Sequence, residues 1–170
     1  LKYSAAHSTI ILDNTNISEI KENSFNKDFI KKVNLETKEN ENLMTLSGTH
    51  NGYLTNYEKI CKRTLFINKE KELFRGEDTI ISTKSISKKN VYHIRFHLMP
   101  EISTTITENK KNIILKTKKN NIWMFRSNKE MLIEKSIFIK NDIATETTQI
   151  VISGITIDLN TKIEWSLEKI

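Results

Sequence analysis

The chain has 170 residues, 37% of them hydrophobic and 28% charged, with a formal net charge of +6. That length suits one domain with a real core; no apolar run nears the roughly 18 residues of a membrane-spanning helix, and Leu1-Lys2-Tyr3-Ser4 does not open a signal peptide. The cationic excess, 27 Lys plus Arg against 21 Asp plus Glu, is scattered singly or in pairs such as Lys31-Lys32 and Lys118-Lys119, so it reads as a solvated basic surface without a nucleic-acid motif.

Ser8 to Leu12 is a short β-branched run closed by the turn-formers Asp13 to Asn16, which predicts a buried strand. Phe29 to Leu35 is a weaker strand, and the polar stretch Glu36 to Asn42 predicts a hairpin loop. Leu43 to His50 alternates, with Gly48 a candidate bulge, and Asn51-Gly52 predicts a turn into the next strand, Lys59 to Asn68. The charged turn Lys69 to Glu72 leads to Leu73 to Ile81, then to a polar link, Ser82 to Asn90.

The most regular stretch is Val91 to Pro100. Tyr92, Ile94, Phe96 and Leu98 point one way and His93, Arg95 and His97 the other, so one face is apolar and one basic. Pro100, the only proline, has no N–H for a ladder and ends or bends the strand. Six further strands are predicted at Ser103 to Thr107, Asn112 to Lys116, Ile122 to Ser127, Met131 to Lys140, Thr147 to Ser153 and Lys162 to Leu167. With four glycines in the chain, asparagine is expected at many turns. The fold class that follows is all-β, an antiparallel β-sandwich of about a dozen short strands in one unit, residues 1–170. Cys61 cannot form an internal disulfide and reads as a buried small hydrophobe.

Three ordered groups of segments carry a family resemblance. Ala6-His7-Ser8-Thr9-Ile10-Ile11-Leu12-Asp13, with Ser18-Glu19 following, is one. His50-Asn51-Gly52-Tyr53, Lys62 to Ile67 and Arg75-Gly76-Glu77-Asp78 make the second, and Arg95-Phe96-His97-Leu98-Met99-Pro100 the third. Trp123 and Trp165 fall where the same pattern has aromatics. Together they resemble the C-terminal super-sandwich domain of heparinase II/III-like polysaccharide lyases. Asn51 stands where that family usually has Asp, and Met99 where it often has His, so no catalytic role is carried onto either.

The resemblance implies an activity. Such lyases cleave uronic-acid glycans by β-elimination: the carboxylate is neutralised, a base takes the C5 proton and an acid protonates the leaving oxygen at C4. The resemblance also implies that the tyrosine and histidine doing this chemistry lie mostly in an N-terminal α/α-toroid, and that a His-x-His-Ala-Asp segment lies early in the sandwich. The lack of an initiating Met predicts a piece of a longer protein, truncated before Leu1, with no catalytic residue of its own. Its expected partners are an acidic polysaccharide and that toroid, and its expected location the periplasm or cell envelope.

His7 taken alone is a strand-end histidine, because zinc needs three or four ligands and none lies close in sequence. The resemblance implies that it is one ligand of a structural zinc. His93, Arg95 and His97, spaced about 7 Å apart along a strand, are candidates to meet an anionic sugar, with the plainer reading a solvated or internally satisfied face. His50, just before a turn, is a fourth candidate, or a structural histidine hydrogen-bonded across the hairpin. Glu77 and Asp78 point to opposite faces and cannot act as a paired acid and base. Trp123 and Phe125 share a face and read as core. A non-catalytic carbohydrate-binding or structural sandwich is the competing function.

Overall fold

The computed structural model describes residues 3–19, 27–28, 30, 32–85, 88–157 and 159–170. A 3-10 turn, Ser4–Ala6, leads to β1 (Ile10–Leu12), β2 (Ser18–Glu19), β3 (Lys27–Asp28), β4 (Val33–Glu39) and β5 (Leu43–His50). After a one-turn helix, α1 (Leu54–Tyr57), come β6 (Lys59–Asn68), β7 (Leu73–Ser82), β8 (Val91–His97), β9 (Ser103–Ile106) and β10 (Asn112–Lys116). The chain closes with β11 (Ile122–Ser127), β12 (Met131–Lys140), β13 (Ile143–Ile155) and β14 (Asn160–Lys169).

Among the described residues, a four-stranded sheet in the order β1-β8-β13-β12 faces an eight-stranded sheet in the order β4-β5-β6-β7-β14-β11-β10-β9, and β2 pairs with β3. Every pairing is antiparallel. The apolar set of β8 faces inward as its period requires: Tyr92 and Ile94 are buried, and Phe96 packs against the core. Phe96 meets Trp165 of β14 at 4.7 Å and Phe125 of β11 at 4.9 Å between ring centroids, which joins the two sheets. Trp165 lies over Gly76 of β7, where a β-carbon would come within 2.1 Å of the indole. Only a glycine admits the ring there.

Sequence and structure part at several places. The strand expected from Phe29 is β4, beginning at Val33, and Phe29 and Lys31 lie outside the described residues. Its pairing with β5 continues to Glu39 through stretches too polar to be read as strand; charged residues suit a sheet edge, which β4 is. Gly48 makes no bulge, since Leu35, Gly48 and Arg63 stand in unbroken register. Asn51-Gly52 does not close a tight hairpin. Instead the chain makes α1, because Tyr53 is drawn into the core at 1% exposure with its hydroxyl on the carbonyls of Ile10 and Thr15. β8 ends at His97, short of Pro100, while β13 and β14 run longer than predicted. Asparagine takes part of the share expected of it: among the described residues, three of the eight non-glycine residues with positive φ are Asn14, Asn120 and Asn141, two more are Asp13 and Asp142, and no glycine has one.

Candidate functional site

The residues that make up the sequence motifs converge on one segment, Ser4 to Asp13. Ser4 is buried, its N–H bonded to Asn16 Oδ1 and its hydroxyl accepting from Ile17 N, both at 2.9 Å. Arg63 donates to the carbonyl of Ser8 and, through Nε and Nη2, to both carboxylate oxygens of Asp78 at 2.7 and 2.9 Å. Asp78 is fully buried and also accepts from Trp165 Nε1 at 2.9 Å. A two-point guanidinium–carboxylate contact plus a third donor leaves that buried charge well paired. At the other end of β1, the Asp13 carboxylate accepts from Val91 N and Asn90 Nδ2, tying β1 to the start of β8. These side chains therefore hold a backbone.

His7 follows the 3-10 turn, its N–H bonded to Ser4 O, and its side chain is exposed. It stands close enough to His97 for its charge to oppose protonation there. His97 itself is engaged at both nitrogens, with Ala5 O at 3.0 Å from Nε2 and Ser136 Oγ at 2.8 Å from Nδ1. A carbonyl can only accept, so Nε2 carries the proton and Nδ1 accepts from the Ser136 hydroxyl. Burial, helped by Arg95 and His7, holds His97 below its ordinary value of 6.5. Neither nitrogen is left for a metal. Among the described residues no group of three or more His, Cys, Asp or Glu is placed to hold one, so they do not by themselves supply the three or four ligands zinc needs.

His93, Arg95 and His97 do share the outer face of the smaller sheet. His93 Nδ1 lies 2.7 Å from Ser153 Oγ, and burial, then Arg95, lowers its pKa. Arg95 pairs in register with Val151, and its Nη1 is buried without a protein partner. Gln149, opposite His97, has its Oε1 in the same condition while Nε2 donates to Lys135 O. A donor and an acceptor thus face the same side two residues apart, beside two neutral imidazoles. His50 lies elsewhere, on β5: its Nδ1 accepts from Gly52 N at 3.2 Å, and burial lowers its pKa.

Sequence reasoning missed Ser136, Gln149 and Ser153, which complete this face, and the Arg63–Asp78–Trp165 network. Their polar alternation within Met131–Lys140 and Thr147–Ser153 is visible in the sequence, but the strand neighbours that give it meaning are not. Glu77 and Asp78 divide as expected, Glu77 pairing outward with Lys162 at 2.6 Å. Phe125 is core, stacked on Trp165 at 5.7 Å, and Trp123 packs against the core. Cys61 is buried, its thiol pushed up to about 12, first by burial and then by the Asp78 charge.

A family described as heparinase II/III-like, C-terminal, matches residues 1–166. No curated protein matches. Among solved structures, the heparan sulfate lyase HepC from Pedobacter heparinus is 15% identical and superposes with a TM-score of 0.76, over 96% of this chain and 24% of its own. The heparinase III-BT4657 gene product is 12% identical, with a TM-score of 0.73 over 96% of this chain and 24% of that one. A further heparinase III is 15% identical, with a TM-score of 0.68 over 96% and 23%. The chain spans about a quarter of the length of these structures, and the likeness shows a shared sandwich.

Proposed function

The chain belongs to the heparinase II/III-like C-terminal family, and from that membership we propose that it is the sandwich part of a polysaccharide lyase that cleaves uronic-acid glycans by β-elimination. The observation that carries this reading is the family match over residues 1–166. In it, an N-terminal α/α-toroid supplies the groove and the proton-transfer groups, and the outer face of the smaller sheet lines one wall. Arg95 is the cation suited to a uronate carboxylate or sulfate, through charge-assisted hydrogen bonds. His93, held below its ordinary value, offers a neutral polar contact at neutral pH, while His97, bonded at both ring nitrogens, fixes the edge of that wall. His50 stands on β5 of the larger sheet, apart from that wall. Elimination leaves a C4–C5 double bond conjugated to the carboxylate, which absorbs in the ultraviolet. The full-length protein should generate that absorbance from heparan sulfate or a related uronate polymer, and the 170-residue chain alone should not. Binding without turnover by the full-length protein would instead make this a carbohydrate-binding module.

The same reading places the parent protein in the periplasm or cell envelope, where it would meet an extracellular glycan. It also makes His7 one ligand of a structural zinc, the rest coming from sequence before Leu1. A structural zinc adds its binding energy to folding. His7→Ala in the full-length protein should therefore lower both zinc content and melting temperature. Unchanged metal content and Tm would make His7 an ordinary strand-end residue.

A further inference from the structure

The β12–β13 hairpin runs past the core. Met131 and Ile133 pack inward near its base, and the strands stay paired out to Lys140 and Ile143. Toward the tip, Ile137, Ile139 and Ile143 are 60%, 44% and 68% exposed. By register, Ile137 and Ile139 lie on the inner face and Ile143 on the outer, so each face of the tip exposes an apolar side chain. On the outer side, a groove of about 500 Å³ opens between Met99-Pro100 and Phe138, Ile143 and Thr145. A long hairpin that exposes such side chains, uncovered among the described residues, invites aggregation.

The described N-terminal residues identify what could cover it. Ala5 O is bonded to His97 Nε2, and His97 Nδ1 to Ser136 Oγ. Residues around Ala5 therefore lie across the outer face of the smaller sheet, at the end where the hairpin projects. His97 stands two residues before Met99 of the groove and Ser136 two before Phe138, a step of about 7 Å along a strand. The related solved structures carry this sandwich as about a quarter of their length, which leaves a large polypeptide to be placed.

From these positions we propose that the β12–β13 hairpin is a docking surface for the polypeptide that precedes Leu1 in the full-length protein, and that an apolar part of it fills the groove bounded by Met99, Phe138 and Ile143. This rests on the reading of the chain as one part of a longer lyase. His97 stands at the joint, linking the incoming segment to β12.

Thiol labelling of the full-length protein tests it. Cys61 is buried and its thiol is pushed up to about 12, so it contributes little background. Peptide mapping after iodoacetamide treatment should find Ile143→Cys modified at least about tenfold more slowly than Lys119→Cys, an exposed residue in the β10–β11 turn, because a docked surface reacts only through opening. Equal labelling of the two would overturn the proposal. Protection that disappears on dilution would overturn it too, by assigning the surface to a second copy. Lyase activity is measured separately on the same protein: activity with an unprotected Ile143→Cys sinks only the docking surface, whereas protection without turnover on any uronate polymer sinks only the catalytic reading.

Discussion

His97 begins as one member of a basic strand face and ends as a joint, because each ring nitrogen has a fixed partner on a different element. This has a pH consequence shared with His50 and His93. Burial is the first cause of all three shifts, and each folded-state value lies below the ordinary 6.5. The unfolded chain then takes up protons more readily than the folded one as pH falls below 6.5. Stability from these groups is fully present above that value and is lost as pH drops through the lowered folded values. Urea midpoints measured at pH 7.5, 6.5 and 5.5, a range above most carboxylate titration, should therefore decrease in that order. His97→Gln should flatten the trend. A midpoint that rises toward pH 5.5 would show that these imidazoles are better stabilised charged than neutral.

Among the elements, the hairpin turns depend on side chains that tolerate left-handed backbone. Asn120, with φ of 60°, closes the β10–β11 turn, its N–H bonded to Thr117 O. A β-carbon without a compensating polar group is disfavoured there, so Asn120→Ala should cost about 1 kcal/mol. Asn120→Gly should be neutral or slightly stabilising. Equal losses for both in thermal denaturation would mean that the side-chain amide, not the backbone conformation, is what the turn requires. β4 teaches the opposite lesson about local signals. Its seven residues are all exposed, and pairing with β5 extends the strand through Glu36 to Glu39, where composition alone suggests a loop.

At the scale of the whole molecule, the sandwich is held where its two sheets touch. Phe96 meets Phe125 and Trp165, with the Arg63 guanidinium 5.7 Å from its ring centroid. Phe96→Ala would leave a cavity between the sheets and should cost about 3 kcal/mol, the low end for a core phenylalanine because the ring is only partly buried. A loss under about 0.5 kcal/mol would mean that this contact does not join the sheets. The sheets are also unequal, four strands against eight. Val33 and Leu35 on the outermost strand of the larger one are 64% and 68% exposed, so among the described residues nothing covers that strand or the β12–β13 tip.

The amino-acid sequence by itself determined the strand periods, the faces of β8 and the all-β class, because side-chain alternation is a local property of a pleated chain. It also marked the ordered motifs through which the family could be identified. Only the tertiary structure decided what those motif residues do. Asp13, Tyr53, Arg63 and Asp78 are up to 87 positions from the groups they hold, and register between distant strands leaves no local trace. The Arg95 face became legible for the same reason: Ser136, Gln149 and Ser153 stand beside it because β12 and β13 pair alongside β8, a neighbourhood created by sheet order and absent from any stretch of the chain read alone.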